Sequence, residues 1–79
     1  MDYQKVLNTV ESKLSGKFDN IINDIKERIS SGSTGGEIAS MVGKYLKDLK
    51  FAHPDAYFLL REDIELYILE CKKQGLEII

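Results

Sequence analysis

Five apolar residues near the N-terminus, Tyr3, Val6, Leu7, Val10 and Leu14, stand at offsets of 0, 3, 4, 7 and 11. Phe18, Ile21, Ile22, Ile25 and Ile29 repeat the same offsets fifteen residues later. This spacing lines one face of an α-helix and fits no face of a strand, whose side chains alternate with a period of two. A helix that is apolar on one stripe has to bury that stripe against another element. The pattern therefore commits the first thirty residues to helix packed on helix. If a single helix ran straight through, the fifteen-residue offset would turn the second stripe by about 60° from the first. Ser15 and Gly16 offer a stop between them. Residues 1–30 thus read as two helices or one kinked helix, with Asp2 as the N-cap of the first. The polar residues between the stripes do not match, so the repetition reflects what any bundle helix needs rather than a duplication.

The stretch GSTGGEIASMVG, residues 32 to 43, opens a third helix. Thr34 followed three residues later by Glu37 fits a capping box. The hydroxyl would accept from the Glu37 N–H and the carboxylate would reach back to the N–H of Thr34. Ile38, Met41, Val42, Tyr45, Leu46 and Leu49 continue as a 3-4 stripe. Lys44, Lys47 and Lys50 lie toward the end where the helix dipole favours cations. Ser31 to Ser33 read as the joint before it. Pro54 disfavours helical geometry at His53 and suits the first turn of a new helix, where Asp55 adds favourable charge. Gly75 and Leu76 have the types of a Schellman ending. The fold expected is all-α, a small four-helix bundle with helices at about 2–15, 17–30, 35–50 and 54–74, a short C-terminal tail, and one domain over 1–79.

The fourth helix carries a second pattern. Projected at 100° per residue, Tyr57, Leu60, Ile64, Tyr67, Ile68 and Cys71 form a core-facing arc, while Phe58, Leu59, Leu66 and Leu69 fall on the opposite side around Glu62. Such a helix is central in its bundle, broken near Arg61 to Asp63, or shared with another chain. A chain of 79 residues buries only about 60% of its unfolded surface, so a second apolar face is a substantial share of what is available. With Ile78 of the tail, these four residues are the candidate partner interface.

Charge and cysteine content narrow the chemistry. Eleven basic and thirteen acidic side chains leave a net charge of -2, which gives no general attraction for nucleic acid or anionic lipid. A lone cysteine, Cys71, allows neither an internal disulfide nor a thiolate metal set. No apolar run reaches the roughly 18 residues of a membrane span, and the N-terminus lacks a signal-like segment. The expected location is a reducing cytoplasm.

Among motifs, GSTGGE lacks the spacing and lysine of a phosphate loop, and no GxGxxG is present. EIASMVG resembles the first helix and turn of the helix-turn-helix DNA-binding proteins. Ile38, Ala39 and Val42 stand at the apolar and small positions, Gly43 at the turn and Leu49 in the core of the second helix. Those five positions carry the whole resemblance; a regulator built on it would use residues 37–52, with DNA contacts from Lys47 and Lys50. Against it, Tyr45, Leu46 and Leu49 continue the preceding stripe as though no turn occurred, and His53 and Pro54 end the would-be reading helix early. His53 has no companion at catalytic spacing and reads as a turn residue. Cys71 reads as a small buried hydrophobe, and Glu62, Asp63, Glu65 and Glu70 as a solvated face. No catalytic, cofactor or metal residues are expected. The expected role is a non-enzymatic protein-binding or regulatory module of the adaptor, inhibitor or immunity type, meeting a protein partner or its own copy through the fourth helix. A helix-turn-helix-like DNA-binding regulator is the alternative.

Overall fold

The computed structural model describes residues 3–76. Of these, 85% are helical, in four helices with no strand. The helices are α1 (Tyr3–Leu14), α2 (Asp19–Ser31), α3 (Gly35–Ala52) and α4 (Pro54–Lys73). The N-cap expected at Asp2 and the partner role expected at Ile78 lie outside the described residues.

Two helices, not one bent helix, occupy the N-terminal region. Gly16 takes a positive φ of 85°, a backbone state that side-chain-bearing residues rarely adopt, and the turn closes when the Phe18 N–H donates to the Leu14 carbonyl at 2.9 Å. Phe18, expected inside helix two, is its N-cap residue instead. The Asp19 carboxylate accepts from the Gly16 N–H at 2.8 Å and steadies the entry. Both stripes then face inward: Val6, Leu7, Val10 and Leu14 from α1 and Ile21, Ile22 and Ile25 from α2 are buried.

α3 begins at the expected cap, where Thr34 Oγ1 accepts from the Glu37 N–H at 3.1 Å. Only that half of the capping box forms; Glu37 is exposed and its carboxylate makes no return bond to Thr34. The helix runs unbroken through Gly43 to Ala52. Ala39 and Gly43 are buried on its inner face beside Ile38, Val42, Leu46 and Leu49, whereas Met41 and Tyr45, expected in the core, are only half-buried. His53 alone links α3 to α4. Its N–H donates to the Leu49 carbonyl at 2.8 Å and its carbonyl accepts from the Tyr57 N–H at 2.9 Å. Pro54 fills the first turn, where a missing N–H costs nothing.

α4 is also continuous, with no break at Arg61 to Asp63. It ends as a Schellman motif: the Leu76 N–H donates to the Cys71 carbonyl at 2.9 Å, the Gly75 N–H to the Lys72 carbonyl at 3.1 Å, and Gly75 holds φ at 78°. Leu76 then packs against the core.

The helices contact one another in the cycle α1, α2, α3, α4 and back to α1, with α1 also reaching α3 across the middle. One core cluster draws on all four. Two tyrosine hydroxyls cross between helices. Tyr67 donates to the Ala39 carbonyl at 2.9 Å, tying α4 to α3, and Tyr45 donates to Asp24 Oδ2 at 2.9 Å, tying α3 to α2. The Arg28 guanidinium lies 4.2 Å from the centre of the Tyr45 ring, close enough for cation–π attraction.

Candidate functional site

α4 buries Ala56, Leu60, Ile64, Tyr67 and Cys71. On a helix of 3.6 residues per turn those positions share one side, so Phe58, Leu59, Leu66 and Leu69 are carried to the other. There they are 76%, 46%, 65% and 49% exposed. The helix is therefore not central in its bundle; its second apolar face looks outward. Exposed apolar residues scattered singly are ordinary, but four on one face of one helix form a patch.

The patch adjoins two shallow recesses. Leu66 and Leu69 help line a groove of about 540 Å³ between α1 and α4, together with Val6, Thr9 and Lys73. Phe58 and Leu59 line a smaller one of about 270 Å³ with Lys13, Arg61 and Glu62. Beside them Lys13 Nζ meets Asp63 Oδ2 at 2.6 Å, an ion pair that clips the end of α1 to the middle of α4. Spacing alone did not reveal this pair, because its members are far apart in the chain. The site is apolar relief edged with charge and offers a surface for another apolar surface rather than an enclosed chamber.

Another large exposed residue escaped the periodicity reading: Phe51, near the end of α3, is 81% exposed. The signal was present, because at 100° per residue Phe51 falls opposite the stripe formed by Ile38, Val42, Leu46 and Leu49. The lysines of the DNA reading, Lys47 and Lys50, are exposed on α3. They stand on the same uninterrupted helix as Ile38 and Ala39, so the turn that the resemblance placed at Gly43 does not occur. Gly43 is instead buried, with Ala39 one turn before it.

The remaining candidates for chemistry are dispersed. His53 sits half-buried at the α3–α4 corner, acting there through its backbone. Cys71 is fully buried in the core, and burial pushes its thiol pKa up, away from the reactive thiolate. Burial likewise raises the Tyr67 phenol, and it raises that of Tyr45 with further help from the hydrogen bond to Asp24. Among the described residues no three His, Cys, Asp or Glu side chains gather as a metal site. No helix among them is long and apolar enough to cross a membrane.

No family model, curated protein or solved structure matches the chain. The surface itself is thus what a functional reading has to stand on.

Proposed function

We propose that this protein is a non-enzymatic protein-binding or regulatory module, of the adaptor, inhibitor or immunity type, that works in the cytoplasm and docks its partner on the outer face of α4. One observation carries the reading: Phe58, Leu59, Leu66 and Leu69 share a face and are between 46% and 76% exposed, although the same helix already buries a full stripe in the core. Full burial of such a side chain is worth about 1.5–3 kcal/mol. Covering the part that is exposed would therefore yield roughly 1–2 kcal/mol from each residue. Four together give the favourable term of a modest complex once the cost of association is set against it. The charged groups at the margin, Arg61 and Lys73, would form the polar rim that surrounds such patches.

A photo-crosslinking amino acid placed at position 66 or 69 in cells of the source organism tests this. Adducts are expected at both positions, and fewer at positions 40 and 47 on α3. Adducts no more frequent at 66 and 69 than at 40 and 47 would sink the proposal.

A further inference from the structure

We infer that the occupant of the α4 face is a second copy of this chain, with the two α4 helices packed antiparallel about a twofold axis at the level of Ile64. This rests on the proposed function and names its partner.

The argument comes from the order of residues along the exposed face. Asp55, Leu59, Glu62, Leu66, Leu69 and Lys73 are all exposed and follow one another at alternating steps of four and three. That 4-3 spacing is the one that lines the seam of a two-stranded coiled coil, here with leucine at three of the six positions. The seam has mirror order about Ile64. Leu59 and Leu69 lie equally far to either side of it, as do Glu62 and Leu66, and as do Asp55 and Lys73.

In an antiparallel pair, each layer joins a residue to the one equally far beyond the axis on the other copy. Leu59 then meets Leu69 of the second copy, and Asp55 meets its Lys73, each pairing occurring twice. Leucine meets leucine in the two layers of Leu59 and Leu69, and opposite charges meet at the two ends. A parallel pair would set Asp55 against Asp55, Glu62 against Glu62 and Lys73 against Lys73, three layers of like charge. The twofold arrangement also closes on itself, so it stops at two copies. Phe58 flanks the seam on the side of Lys72, whose alkyl stem would cover its ring from the other copy.

The two central layers are the weak ones. Glu62 would face Leu66 of the second copy, and a charge at a seam position costs stability while fixing register. Only three of the six seam positions are apolar, a thin contact beside the ~800 Å² per partner of a standard interface. The dimer is accordingly of micromolar strength, formed at high local concentration and dissolved by dilution.

Sedimentation equilibrium of the full chain from about 10 µM to about 1 mM reads this directly, spanning the affinity range a patch of this size supports. The wild type is expected to pass from one copy to two across that range. Glu62→Leu should tighten the dimer about 10-fold by replacing both mismatched layers. Asp55→Lys or Lys73→Glu alone should weaken it about 5-fold, because each puts like charges into both end layers. The Asp55→Lys/Lys73→Glu double variant should restore it, since the pairing is only reversed. Leu66→Glu should leave it monomeric throughout, with unchanged helical circular dichroism because the residue lies outside the core. A wild type that stays monomeric at 1 mM, a double variant no better than its singles, or a dimer that survives Leu66→Glu would each overturn the inference. Crosslinks from positions 66 and 69 that contain only a different protein would overturn it too, while leaving the proposed function standing.

Discussion

The joint between α2 and α3 makes a sharp prediction at Gly32. Its backbone, at φ -77° and ψ 149°, is one that any residue adopts, so conformational freedom is not why glycine is there. On backbone grounds Gly32→Ala should stabilise by about 0.4–1 kcal/mol, by restricting the unfolded chain. Space says the opposite. A Cβ at this position would overlap Cγ1 of Ile38 and come within 3.1 Å of the Met41 methyl. The methyl is the end of a flexible chain and can move. Ile38 Cγ1 is close to the backbone of a buried residue on the first turns of α3, and displacing it means changing a rotamer in the core. Overpacking of this kind costs about 1–3 kcal/mol. The net is a loss near 1.5 kcal/mol, a fall in melting temperature of roughly 6–12 °C for a domain of this size. A double-mutant cycle by thermal and urea unfolding isolates the cause. Ile38→Ala removes the obstructing carbon, and in that background Gly32→Ala should turn stabilising by about 0.4–1 kcal/mol. Ile38→Val keeps a carbon at the same place and should not rescue. A Gly32→Ala variant that melts at or above the wild type, or that costs the same beside Ile38→Ala, would refute the steric account.

Two further expectations follow from the helix start and the tyrosines. Thr34→Ala should cost about 1 kcal/mol because the bond to the Glu37 N–H is lost. Glu37→Gln should cost only the few tenths attached to a charge near a helix N-terminus, because the carboxylate makes no return bond; equal losses in urea unfolding would show that the full capping box operates. Burial holds the Tyr45 and Tyr67 phenols protonated well above their ordinary value of 10.0. The folded state therefore keeps protons that the unfolded chain releases. The associated stability is intact below about pH 10 and drains away as the pH climbs toward the folded values. Urea midpoints should accordingly fall faster between about pH 10 and pH 11 in the wild type than in the Tyr45→Phe/Tyr67→Phe variant, and parallel declines would contradict the assignment.

What was legible in the chain was whatever depends on neighbours in sequence. The stripe of Ile21, Ile22 and Ile25, the Thr34 cap and the Gly75–Leu76 ending are each set by residues within a turn or two, and the structure places them as their types require. Gly43 was ambiguous for a physical reason: the absent side chain that suits a turn also suits a tight helix contact. The unbroken course of α3 through Gly43, with Gly43 and Ala39 both buried, rules out the turn. The bonds from Tyr67 to Ala39 and from Tyr45 to Asp24 join residues 28 and 21 positions apart, and nothing local announces them. The second face of α4 was visible by projection. Its exposure was not, because a helix central to its bundle and a helix with a free outer side carry the same apolar pattern. Phe51 was overlooked for the converse reason, since attention to the inward stripe passes over what lies behind it.

α4 also separates two kinds of inheritance. The residues that hold it to the bundle, Leu60, Ile64, Tyr67 and Cys71, alternate along the chain with those that face away, Phe58, Leu59, Leu66 and Leu69. Because the two sets lie on opposite sides of the helix and touch only where Tyr67 lines the same groove as Leu66 and Leu69, drift in one need disturb the other little. A lineage could exchange its outward residues wholesale, and with them whatever it recognises, while every descendant kept the same backbone. Among such descendants, variation along α4 would rise and fall with the helical turn, a rhythm written by selection acting separately on two sides of one rod.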